Sequence, residues 1–266
     1  ENEASIMSRP IAVAIGVVAS SYVAVKLWKH QNRKLVVGSV CTKTNPELED
    51  HPNWQAIVDN YVYIHNAFRN DLIRIKAMAR DGKDIKDDFA AWTQILDVHS
   101  KFEDEVMVPS VVARVDRLPD DDKEKATKKK LLLGTSADHE KIHKLIDAVK
   151  VSGSVSDLEN LEVAFDQHLT SEETLIPKLL SELFSERELW ALDSFVINPK
   201  LGYCSKEMLT KITLWWFGNI SLGEGWKLLQ NFIRAGNQPS MPDEAWLKLQ
   251  SDIPAFEKYC LADLVQ

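Results

Sequence analysis

Five histidines and two glutamates of this chain recur at a spacing that suits metal chemistry. They are a lone His65, then His99-Ser-Lys-Phe-Glu103, His139-Glu-Lys-Ile-His143 and His168-Leu-Thr-Ser-Glu172. Side chains at i and i+4 lie one above the other on a helix, so each HxxxE or HxxxH pair can offer two donors to one cation. Any one such histidine has an ordinary alternative, a hydrogen-bonded core residue. Four motifs on four segments change that balance. A cluster of buried imidazoles and carboxylates without partners costs several kcal/mol, and a multivalent cation removes that cost. Seven donors are too many for one tetrahedral zinc. They fit two adjacent six-coordinate irons with bridging carboxylates and an open position.

The elements that must hold these donors are helices. Gly and Pro are sparse, alternating strand-like runs are hard to find, and Leu, Lys, Glu and Ala dominate long stretches. The first segment, from about Trp54 to Arg80, carries an apolar stripe of Ile57, Tyr61, Ile64, Phe68, Leu72 and Ile75, and Asp81-Gly82 stops it. The second runs from about Lys86 to Val108, with Trp92, Ile95, Phe102 and Val106 on one side and Pro109 as a kink or an end. A connection through Leu118-Pro119 leads to the third, about Asp121 to Val151, with Leu132, Thr135, Ile142, Ile146 and Val149. After the turn at Ser152-Gly153-Ser154, a capping box at Ser156–Glu159 opens the fourth, whose seam is Leu158, Leu161, Phe165, His168, Glu172, Leu175 and Leu179. Steps of three and four along that seam aim His168 and Glu172 at the bundle axis. Short connections between long amphipathic helices predict antiparallel neighbours, hence an all-α, up-down-up-down four-helix bundle. Measured from the turns that join them, His65 and His99 lie at one level, roughly 20 Å away at about 1.5 Å per residue, and His143 and His168 share a second matching level. No internal repeat and no low-complexity run is evident.

These motifs resemble the hemerythrin, or HHE cation-binding, family over about residues 54–185. The phrases HSKFEDEVMVPSV and QHLTSEETLIPKLL are similar to the hemerythrin domains of plant and animal iron-sensing ubiquitin ligases, more than to the oxygen carriers of marine worms. The resemblance implies two non-heme irons. One would take His139, His143 and His168, the other His65 and His99. Glu103 and Glu172 would bridge, together with an oxo or hydroxo group. Oxygen carriers use HxxxxD, whereas here i+4 is Glu172 and i+5 is Glu173. Glu172 continues the core stripe and is preferred, with Glu173 left open as the ligand. The ligases also carry cysteine-rich zinc modules, which three scattered cysteines (Cys41, Cys204 and Cys260) exclude, so ligase activity is not implied.

The rest of the chain bounds the function. A net charge of −8 disfavours nucleic acid as a partner. The basic run Lys123–Lys130 is flanked by acids and reads as a solvated helix face. Residues 1–35 hold an uncharged stretch, Pro10 to Val25, followed by Lys26, Lys29, Arg33 and Lys34. This predicts a membrane anchor that leaves the large domain on the cytosolic, matrix or stromal side. A cleaved signal peptide and a soluble docked helix are the alternatives. Residues 36–53 read as a linker. Residues 186–266 form a C-terminal helical extension, with helix candidates at about 186–196, 205–218, 222–235 and 243–265 and a capping box at Ser185–Glu188. The extension contains Trp190, Trp215, Trp216, Phe217, Trp226 and Trp246 but no histidine. Core packing is the plain reading of these aromatics, and a protein-binding surface the other.

Three functions compete on this basis. A binding or sensing module would hold dioxygen or a related small ligand, or report iron or redox state. A membrane-anchored structural subunit would keep the metal as a staple. A diiron oxidase, peroxidase or nitric-oxide-handling enzyme would need an open metal position and turnover, and no separate acid–base or nucleophile motif supports it.

Overall fold

The computed structural model describes residues 60–185, 188, 189, 192 and 204–236. The expected anchor, the linker and the start of the first helix at Trp54 lie outside these residues, as do the candidate at 243–265, most of that at 186–196, and Trp190 and Trp246. Among the described residues no helix is long and apolar enough to cross a membrane.

The described chain is all-α. Helix α1 covers Asn60–Arg80 and α2 covers Lys86–Phe102. A π-helical turn, Glu103–Met107, runs on into α3, Val108–Asp116. Helix α4 covers Lys125–Ser152, α5 Val155–Leu183, α6 Lys206–Asn219 and α7 Leu222–Gly236. Helix α1 packs on α2 and α5, and α4 packs on α5 and on the α2–α3 rod, which makes a helical bundle. Helices α6 and α7 lie against α1.

The turns obey local chemistry. Gly82 and Gly153 adopt left-handed φ of 70° and 60°, a conformation glycine reaches without a Cβ clash, and they end α1 and α4. The cap of α5 is not the expected Ser156 but Ser154, whose Oγ accepts from the Asp157 amide at 3.1 Å. Because α4 stops at Gly153, the chain is already extended at Ser154, and the helix starts two residues early. The capping box at Ser185 is present: its amide donates to Glu188 Oε2 at 2.8 Å, and its Oγ accepts from the Glu188 amide.

The second rod departs from expectation in length. Pro109 neither ends nor breaks it. The Val108 amide donates to the Glu103 carbonyl, five residues back, so the turn before the proline is widened by one residue. That extra residue accommodates a ring that lacks an N–H and would crowd the carbonyl four residues before it. Glu103 opens the widened turn.

Two apolar clusters fill the bundle. One, around Phe68, Trp92, Ile142, Ile146 and Phe165, lies toward the Gly82 and Gly153 turns. The other, around Tyr61, Val106, Val111, Leu132, Ile176 and Leu179, lies at the opposite end. The Trp92 indole N–H donates to the Phe68 carbonyl at 3.1 Å, so the large ring is buried with its polar atom satisfied. Between the clusters lies a polar layer.

Candidate metal centre

Six of the seven predicted donors meet in that layer. Glu103, His139, His168 and Glu172 offer one ligand atom each within 4.8 Å of one another, and so do His65, His99 and Glu103. Glu103 belongs to both groups. Its Oε1 is 3.3 Å from His99 Nε2 and its Oε2 3.5 Å from His139 Nε2. Glu172 also spans the layer: Oε1 is 3.2 Å from His168 Nε2 and 3.9 Å from His139 Nε2, and Oε2 is 3.8 Å from His65 Nε2. The helices bring these side chains in because His99/Glu103 and His168/Glu172 are i,i+4 pairs on the inner faces of the α2–α3 rod and of α5.

His143 is the exception. It is exposed and outside both groups, unlike the other six expected donors. The buried stripe of α4 runs Leu132, Thr135, His139, Ile142, Ile146 and Val149. At about 100° per residue, His143 lies roughly 70° round from the centre of that stripe. Ile142 takes the inward position instead. One group thus holds His139 and His168 with Glu103 and Glu172, and the other holds His65 and His99 with Glu103.

The layer is buried and under-satisfied. His65, Glu103 and Glu172 are at most 1% exposed. Glu103 Oε2, His139 Nε2, His168 Nδ1 and both oxygens of Glu172 are buried with no hydrogen-bond partner. Native interiors rarely leave such atoms orphaned, and most of these converge on one place. His65 Nε2 and His99 Nε2 face each other at 3.2 Å, an arrangement in which two ring lone pairs suit a common cation. Imidazole nitrogen with carboxylate oxygen is the donor chemistry of iron, manganese and zinc. The residues therefore fit bound metal.

A second ring of polar groups braces the first. Tyr61 donates from its hydroxyl to Glu103 Oε1 at 2.9 Å. His65 Nδ1 is 3.1 Å from Glu173 Oε1, and His139 Nδ1 is 3.0 Å from Asp104 Oδ2. Arg69 donates to both oxygens of Glu173, at 2.5 and 3.1 Å. Glu173 is thus engaged by His65 and Arg69, while Glu172 stands in the donor group. The braces were not read from the sequence. Their signal is the acid that directly follows each HxxxE glutamate: HSKFED and HLTSEE.

Electrostatics follow burial and neighbours. Burial lowers His99 to about 4 although Glu103 opposes it, and burial lowers His168 to about 3. For His139 burial also pulls downward, but the hydrogen bond to Asp104 and the nearby negative charge of Glu103 outweigh it and raise the ring to about 9. Burial, then the charge of Glu103, pushes Glu172 well above the carboxylate range. Burial opposes ionisation of Glu103 as well, but His99 and the other histidines hold its carboxyl below its ordinary value.

The signs give a pH profile for the metal-free protein. His99 and His168, ordinarily at 6.5, are held neutral, so the unfolded chain gains protons first as pH falls, and stability is lost from about 6.5 toward 4. His139 contributes stability that is full below 6.5 and lost as pH rises through about 9. The contribution of the site to stability is expected to peak near pH 6.5. Urea melts of metal-free protein between pH 4 and 9 check this, and a contribution flat across that range would contradict it.

The C-terminal helices close the outer side of α1. The Trp215 indole N–H donates to Asp71 Oδ2 at 2.7 Å, and its ring lies 4.7 Å from that of Phe68, which in turn lies 5.3 Å from His99. Asn66, next to His65, donates to Glu224 Oε1 at 2.7 Å, and Glu224 also caps α7 through the Ser221 amide. Trp216 and Phe217 are buried, whereas Trp226 is 61% exposed.

Fold and site together define an all-helical protein with buried His/Glu groups able to hold metal. Comparisons with protein-family models, curated proteins and solved structures find no match to this chain.

Proposed function

We propose that this chain is a hemerythrin-like protein whose two iron ions bind dioxygen or report iron or redox state. The observation that carries this reading is Glu103, a buried carboxylate common to two donor groups on four helical rods. A shared carboxylate is how two cations are kept adjacent, and the orphaned oxygens and imidazole nitrogens are what two cations would satisfy. When bound, paired iron would supply one-electron steps and a place for a small oxidant. The chain's own residues supply the rest. Tyr61 fixes the orientation of Glu103, the carboxylates behind His65 and His139 hold the outer ring nitrogens so that the inward ones would face the metal, and the two apolar clusters exclude water from the layer.

The test is metal analysis of the full chain, with absorption spectra followed through anaerobic reduction and return to air. About two irons per chain with a spectrum that cycles supports oxygen or redox sensing. Two irons with no response to air favours a structural staple. Failure to take up any metal after reconstitution refutes the reading. His143→Ala is expected to keep both irons, and loss of one would restore the seven-donor set.

A further inference from the structure

The braces behind the two cation positions differ in kind. Glu173, behind His65, has a side chain 9% exposed and is gripped by Arg69 through both oxygens, and Arg69 in turn holds Asp166 at 2.7 Å. Asp104, behind His139, has a side chain 39% exposed and sits at the second residue of the widened π turn. A carboxylate that accepts from the outer ring nitrogen fixes the tautomer, so the inner nitrogen keeps its lone pair for the metal, and it raises the basicity of that lone pair. A buried carboxylate held by a guanidinium fork does this with little freedom of movement. A half-exposed one shares the task with water, which screens its charge.

We propose that Glu173 and Asp104 are the positioning residues of the two cation sites and make them unequal: the His65–His99 position retains its ion, and the His139–His168 position exchanges it. This rests on the two-metal reading above. The cross-connection has a consequence for order of filling. Each brace is carried by the helix of one HxxxE pair but acts on the histidine of a neighbouring helix: Asp104, on the α2–α3 rod, serves α4, and Glu173, on α5, serves α1. A firmly held first ion would fix Glu103, and the second ion would then enter at the more exposed brace.

The experiment is a titration of metal-free full-length protein with cobalt(II), read by its visible absorption and by competition with a chelator. Wild type is expected to show two dissociation constants at least about tenfold apart. Asp104→Asn is expected to weaken the looser site by about 10–100-fold and leave the tighter one within about twofold, with Asp104→Glu restoring it. Glu173→Gln is expected to weaken the tighter site instead. A merely structural role would lower the metal-free melting temperature without separating the two constants. Two equal constants in wild type, or equal weakening of both by Asp104→Asn, overturns the proposal. Absence of any cobalt binding in wild type would instead overturn the two-metal reading.

Discussion

Replacing Glu103 by Ala is expected to empty both cation positions at once. Glu103 is the residue common to the two donor groups, with one oxygen near His99 and the other near His139. No other donor is placed so evenly between them. Removing it leaves one position with two histidines and the other with two histidines and Glu172, and it also strands the Tyr61 hydroxyl in the interior. Metal analysis should fall from about two ions per chain to near zero. By contrast, His99→Ala touches one group and should leave about one ion. The thermal consequence is large, because a ligand present at about a thousand times its dissociation constant stabilises the folded state by about 4 kcal/mol. For a chain of this size, with about 2–4 °C per kcal/mol, the gap between loaded wild type and the Glu103→Ala variant should be about 8–16 °C. Calorimetry with and without metal measures it. If the variant retained one tightly bound ion, Glu103 would belong to a single site and the shared-carboxylate geometry would be wrong.

How much of this was legible beforehand varies from residue to residue, for physical reasons. On α5 the steps of three and four through Leu158, Leu161, Phe165, His168 and Glu172 mark an inner face, and all five are buried. On α4 the same rule selects Ile142, and His143 beside it falls outside the buried stripe. An HxxxH pair looks like a chelate, yet neighbouring residues cannot both face the axis. On the second rod a one-residue insertion is invisible to a 3.6-residue period. Pro109 is plain in the sequence, but the wider turn at Glu103–Met107 that absorbs it is not. Helix α1 gave the subtlest signal. Tyr61 through Arg69 are buried on every side, because α6 and α7 cover the face that a four-helix bundle leaves to water. The nearly unbroken apolar run YVYIHNAF carries that information, since a helix apolar all round is a buried helix. The partner that covers it, Trp215 against Phe68 and Asp71, comes from more than a hundred residues away, and no local pattern links them. The braces are different again. HSKFED and HLTSEE end alike, a likeness between the halves too short to be a repeat. What the letters do not show is that the second acid reaches across to a histidine of another helix.

Glu172→Met should move stability in opposite directions according to metal. Glu172 is 1% exposed, neither oxygen has a hydrogen-bond partner, and burial with the nearby charge of Glu103 raises its pKa well above the ordinary carboxylate value. Without metal it is a burden. Burying a polar group without a hydrogen bond costs about 1–3 kcal/mol, a cost that an apolar side chain of similar volume does not carry, and methionine adapts to the gap. A raised carboxyl pKa also means that the folded protein holds a proton which the unfolded chain gives up above its ordinary value of 4.5. Stability is then lost as pH rises above that point, and the variant should remove this slope. With metal the sign reverses, because the carboxylate that Glu172 offers to His168, His139 and His65 alike is gone. The variant should therefore melt higher than wild type in chelator and lower than wild type in excess iron. Paired denaturation curves in the two conditions decide the matter. A variant less stable than wild type in both would mean that Glu172 serves the packing of the bundle itself. A crossing of the two orders would mean that this fold tolerates an unfavourable interior for the sake of the ions it holds.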